Sequence, residues 1–168
     1  MYEKDRLVNE YKEFFKDVSL SIPNPINYTL TVKQFEFNRR TTVDDIRRNN
    51  RHFFNRLTRS IFGHNRQKRY LKRAVIISVS RVEGIHVHLV IEKPEHIKLR
   101  KFIDLIEFCW GKTSYANYQS HFEIPEEELR KIKWANYLKK NKNFNIKEIL
   151  EGDNTKGEVD WENTYLTR

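Results

Sequence analysis

Apolar residues along this chain fall into stretches of helical spacing and stretches of strand-like composition. Leu7, Val8, Tyr11, Phe14 and Phe15 recur three to four residues apart, which predicts a short amphipathic helix over 7–18. Pro23 and Pro25 end it, because neither can continue a helix. The run Ile26-Asn27-Tyr28-Thr29-Leu30-Thr31-Val32-Lys33-Gln34 is rich in β-branched and aromatic residues and predicts a strand. Thr42 then suits a helix N-cap, with Asp44 and Asp45 in the first turn, where carboxylates complement the helix dipole. Val43, Ile46, Phe53, Phe54, Leu57 and Ile61 share one broad face, so a long amphipathic helix is expected over 42–62.

Two further strands are expected over 74–82 and 84–92, joined as a hairpin at the turn-forming pair Glu83-Gly84. Lys93-Pro94 ends the second. A helix follows, with Leu99, Phe102, Ile103, Ile106, Cys109 and Trp110 on its buried face and Gly111 as its stop. Residues 116–124 predict another strand. Pro125 and the three glutamates after it open a helix that runs to about residue 142. The tail 143–168 differs in character: from Glu148 onward it carries six acids against two basic residues. It could supply a further helix or an edge strand.

A length of 168 residues is that of one domain with a real hydrophobic core. The 13% aromatic content argues for a folded protein despite the high charge. The net charge of +9 makes an acidic polymer the natural partner. That charge is concentrated: between Arg39 and Arg73 there are 12 Lys/Arg against two Asp. Solvated helix faces usually mix signs, and this stretch does not, so Arg39, Arg40, Arg47, Arg48, Arg51, Arg66, Lys68 and Arg69 are candidates to face nucleic-acid phosphates. The single Cys109 allows neither a disulfide framework nor a cysteine-based zinc site within the chain, as suits a reducing cytoplasm. The N-terminus lacks the apolar core of a signal peptide, and no stretch is long and apolar enough to span a membrane.

The chemistry begins at Gly84-Ile85-His86-Val87-His88-Leu89-Val90-Ile91-Glu92. Side chains alternate along a strand, so His86 and His88 share a face and can act as two ligands of one metal ion. The alternative is a pair of ordinary histidines on a half-buried strand. The second element is Trp134-Ala135-Asn136-Tyr137-Leu138-Lys139-Lys140, where Tyr137 and Lys140 are one helical turn apart. A tyrosine hydroxyl can attack a phosphodiester when a cation stands near the phosphate, and a divalent metal held by the histidines would polarise that phosphate. Otherwise Tyr137 is a half-buried tyrosine beside a solvated lysine.

Together these stretches resemble the HUH endonuclease superfamily, specifically the single-tyrosine rolling-circle replication initiators, or Rep proteins. Tyr28-Thr29-Leu30-Thr31 is similar to the first motif, the histidine strand closed by Lys93-Pro94 to the second, and Trp134-Ala135-Asn136-Tyr137-Leu138-Lys139-Lys140 to the third. Phe108-Cys109-Trp110-Gly111-Lys112 also resembles Rep sequences, and the likeness spans residues 26–142. It implies an α+β fold with a central antiparallel sheet, here of about five strands, flanked by α-helices. It also implies Mg²⁺ or Mn²⁺ at His86 and His88, Tyr137 as nucleophile and Lys140 as its helper. The substrate implied is single-stranded DNA or an origin hairpin, nicked to leave a 5′-phosphotyrosine and a free 3′ hydroxyl.

Glu83 is the nearest carboxylate for a third ligand, although its odd offset from His86 puts it on the other face unless a bulge intervenes; Ser80 or a water is the alternative. No glycine-rich Gly-Lys-Ser/Thr loop of the P-loop kind occurs, since Ile106 stands where that pattern needs a glycine ahead of Gly111-Lys112-Thr113, so a separate helicase and polymerase in the host cytoplasm are expected, with no small-molecule substrate. Two rivals stand beside this reading. A single-strand DNA transposase or relaxase of the same superfamily would often place a glutamine ligand one turn after the tyrosine, where this chain has Asn141. A non-catalytic nucleic-acid-binding module would use Tyr28, Tyr118 and the histidines as stacking or core residues.

Overall fold

The computed structural model describes residues 17, 20–64, 70–80, 84–123 and 156–166. The expected helices over 7–18 and 125–142 fall outside these residues, apart from Asp17. In chain order the elements are β1 (Pro25–Val32), β2 (Phe35–Glu36), β3 (Arg39–Arg40), α1 (Val43–Phe62), β4 (Arg73–Ser80), β5 (Gly84–Glu92), α2 (Leu99–Gly111), β6 (Ala116–Glu123) and β7 (Lys156–Val159). They make the expected α+β architecture. Five strands form one sheet in the order β6-β1-β5-β4-β7, antiparallel at every junction, and β2 and β3 make a separate small hairpin.

Alternation along the strands sorts the sheet into two faces. Tyr28, Leu30 and Val32 of β1, Val75 and Ile77 of β4, and Val87, Leu89 and Ile91 of β5 join Ile46, Phe53, Phe54 and Leu57 of α1 and Phe102, Ile106 and Trp110 of α2 in one core. Both helices therefore cover the same face. Phe53 is fully buried, with its ring 4.7 Å from Phe54 and 5.5 Å from Trp110 between centroids. Burying such a side chain stabilises the fold by about 1.5–3 kcal/mol. Residues at the intervening positions, His86 and His88 among them, belong to the other face, where Ile22, Ala74 and Val90 form a small apolar cluster.

The helix boundaries follow from local chemistry. Thr42 caps α1 and Asp45 closes a reciprocal capping box with it. Leu99 is an exception to the expected buried stripe of α2, being 36% exposed. Gly111 is the last residue of α2 rather than the residue beyond it, and Lys112 takes the C-cap at φ −88°. No left-handed turn is made there, so the glycine is not the stop that its type suggests. Cys109 is buried, as expected of a small hydrophobe, with Sγ 3.7 Å from Ser60 Oγ.

The acidic tail supplies the edge strand. β7 pairs with β4 from Ile76↔Val159 to Val79↔Lys156. The residues after it lie along α1: Asp160 is fully buried and accepts from Asn50 Nδ2 at 2.9 Å and Asn163 Nδ2 at 2.8 Å. Arg73 is buried against Phe54, its guanidinium 4.2 Å from the ring centroid, and donates to the Asn163 carbonyl at 2.7 Å. Burial pushes its pKa down to about 10, so it keeps its charge at neutral pH.

Candidate metal centre

β5 is the middle strand of the sheet, flanked by β1 and β4. That position puts a strand on each side of the two histidines. His88 lies opposite Thr29 on β1 and Ile76 on β4; His86 lies opposite Thr31 and Ser78. Both histidines are buried, at 7% and 4% exposure for His86 and His88. Their rings meet edge to face, with centroids 4.8 Å apart and planes at 80°. Two imidazoles whose nitrogens each reach one ion at about 2.1 Å have centroids about 4.5–5 Å apart, so this spacing fits a shared metal.

The protonation state fits as well. Burial, and then the neighbouring His86, push the His88 pKa down to about 3, so His88 is a neutral imidazole at physiological pH. A histidine must be neutral to bind a metal. His88 Nδ1 lies 3.2 Å from Thr29 Oγ1. With Nδ1–H donating to that oxygen, Nε2 carries the lone pair, and the ring is oriented from behind. Thr29 belongs to the first sequence motif, which gives it no role of its own; the register supplies one. Its other neighbour in register is His121 on β6, so position 121 shares a cross-strand row with Thr29 and His88.

The remaining candidates are distributed differently. Tyr137, Lys140, Glu83, Arg66, Lys68 and Arg69 lie outside the described residues. Ser80 pairs with Gly84 at the hairpin end of β4. Among the described residues no group of three His, Cys, Asp or Glu side chains is placed to hold a metal ion. The two β4 positions facing the histidines are Ser78 and Ile76, which explains why β4 offers no carboxylate there.

Four of the expected phosphate-facing arginines hold carboxylates instead of standing alone. Arg39 donates twice to Asp45, at 2.7 and 2.8 Å, and Arg48 donates to the same carboxylate at 2.8 Å. Arg47 pairs with Asp44 and Arg51 with Glu162. Arg47 and Arg48 pair with acids three residues before them on α1, whereas the Arg51 partner is hidden from the local sequence, because Glu162 arrives from the distant tail. Arg40 is exposed on β3. On α1 a shallow cleft is lined by His52, Asn55, Arg56 and Arg59, and no described carboxylate pairs with either arginine. Because α1 covers the core face, these cations and the histidines stand on opposite sides of the sheet.

Tyr28 is not available for stacking. It is fully buried under the helices, and its hydroxyl donates to Glu107 Oε1 at 3.4 Å. A larger cavity, of about 480 Å³, lies at the other end of β5, with Pro23, Tyr70, Glu92, His96 and Tyr165 in its wall, and neither His86 nor His88 lines it. No helix among the described residues is long and apolar enough to cross a membrane. No family model, curated protein or solved structure matches the chain.

Proposed function

We propose that this protein is a metal-dependent single-strand DNA nickase of the HUH endonuclease type, acting at a rolling-circle replication origin. The observation that carries the reading is the buried, edge-to-face pair His86 and His88 on the central strand, with Thr29 behind a neutral His88. A cytoplasmic setting and a separate helicase and polymerase belong to the same proposal.

In this reading Tyr137 is the nucleophile. Its phenolic oxygen forms a bond to the scissile phosphorus, and the bond to the 3′ oxygen breaks. The phenolic proton ends on that 3′ oxygen, leaving a free hydroxyl and a 5′-phosphotyrosine. Attack by a 3′ hydroxyl on the phosphotyrosine rejoins the strands. A Mn²⁺ or Mg²⁺ ion at His86 and His88 would supply charge stabilisation to the scissile phosphate. Lys140 would hold the phosphate or stabilise the tyrosine oxygen. Glu83 is the proposed third ligand. Position 121 is its competitor on register grounds, and a Mn²⁺ titration of Glu83→Gln beside His121→Gln separates them.

Origin DNA from the protein's own replicon, incubated with Mn²⁺ or EDTA and run on a denaturing gel, tests this. A covalent protein–DNA band is expected with Mn²⁺, absent in EDTA and in Tyr137→Phe, and reduced at least about a hundredfold in His86→Ala and His88→Ala. DNA binding with no band under any metal would return the histidines to a structural role and favour the non-catalytic module.

A further inference from the structure

The β2–β3 hairpin has no part in the chemistry above, yet its build is costly. Its two-residue turn is Phe37-Asn38, at φ 51° and 58°. Left-handed turns of this kind match the twist of a hairpin, and asparagine tolerates them, but a bulky aromatic there is strained. Phe37 is 66% exposed and Phe35 is 60% exposed. Local stability therefore accounts for neither residue; Phe37 touches the Tyr115 ring only at an edge, with centroids 5.8 Å apart.

The rest of the hairpin is held firmly. Arg39 and Arg40 pair with Glu36 and Phe35 across it. Arg39 is fixed by Asp45, whereas Arg40 has no carboxylate partner among the described residues. The base is tied by Thr41 N donating to the Gln34 carbonyl at 3.0 Å and Thr41 Oγ1 to the Lys33 carbonyl at 2.6 Å. The Gln34 side chain brackets the Ile85 backbone, accepting from Ile85 N and donating to Ile85 O, both at 2.7 Å. Gly84 makes room for it: a Cβ there would lie 2.2 Å from Gln34 Oε1, and φ is +72°. The hairpin is thus anchored one residue from His86, at the same end of the sheet.

We propose that this hairpin is a clamp for single-stranded DNA, with Phe35 and Phe37 stacking on unpaired bases and Arg40 meeting a backbone phosphate. The chemistry fits an unpaired strand: duplex bases offer no open ring face, and exposed aromatics beside an exposed arginine on a chain of net charge +9 complement a polyanion with exposed bases. The clamp deepens the endonuclease reading and rests on it for the choice of DNA.

The test measures affinity for a labelled oligothymidylate in EDTA, so that binding is read apart from cleavage. Phe35→Ala and Phe37→Gly are each expected to bind about tenfold more weakly. The melting temperature of Phe37→Gly should hold or rise, since glycine relieves the left-handed backbone. Arg40→Gln should flatten the salt dependence of binding. Unchanged affinity in both aromatic variants overturns the clamp, as does equal weakening on a duplex, which would mean that charge alone is read. Should Phe37→Gly fail to fold, Phe35→Ala decides alone. Intact clamp behaviour without nicking would sink the endonuclease reading only; nicking with unaltered affinity in these variants would sink the clamp only.

Discussion

Asp45 holds together more than its place in the sequence suggests. It accepts from the Thr42 backbone and hydroxyl as half of the capping box, and it also takes Arg39 and Arg48. The Arg39 hydrogen bonds, foremost, keep its carboxyl well below the ordinary range despite burial. The unfolded chain takes up that proton near pH ~4, while the folded one does not, so stability is full above that pH and falls as the pH drops through it. Asp45→Asn should be less stable at neutral pH and should lose part of this acid dependence, read from urea midpoints across the acid range. Parallel profiles for the two proteins would contradict it. The cap itself was legible because Thr42 and Asp45 are three residues apart. The Arg39 partner was not, since that pairing depends on where β3 and α1 meet, whereas Arg48 lies three residues on along α1 itself. The same holds at Thr29, whose role beside His88 comes from strand register.

At the scale of elements, the long strands and both described helices were legible from periodicity. β4 is buried on both faces, with Val75, Ile76 and Ile77 all at most 1% exposed, and its continuous apolar run says so. β7 was legible only as one of two alternatives for the tail, and the β2–β3 hairpin was not legible. They are four and two residues long, too short for a period to show, and they exist through pairing with distant or strained partners. The tail is nonetheless a structural part of the sheet. Asp160→Ala would leave the Asn50 and Asn163 amides without their buried acceptor and Arg73 without a neighbouring charge. A loss of about 2–4 kcal/mol is expected, measured by thermal unfolding, with Asp160→Asn losing less. A change under ~0.5 kcal/mol would mean that the segment after β7 is merely laid on the surface.

For the whole molecule, the division of the sheet into two faces separates the charge of α1 from the histidine pair. Replacing Arg56 and Arg59 with glutamine should reduce the slope of log affinity against log salt by about 0.7 for each phosphate that is no longer neutralised. Mn²⁺ uptake, followed by calorimetry, should be unaffected; a coupled loss of metal binding would place the two functions on one surface. By itself the sequence determined the identities of the long described strands and of α1 and α2, the N-cap of α1, the shared face of His86 and His88 and the strong positive charge. Each of these depends on residues within a few positions of one another, where backbone geometry alone sets the relation. Tertiary structure alone decided that both helices cover the face away from the histidines, that Arg39 meets Asp45 and Arg51 meets Glu162, that Tyr28 is core and that the tail closes the sheet edge. Those outcomes depend on pairings between residues as many as 116 positions apart, such as Asn163 with Arg47. Only the folded packing brings such residues together, and no local period records it.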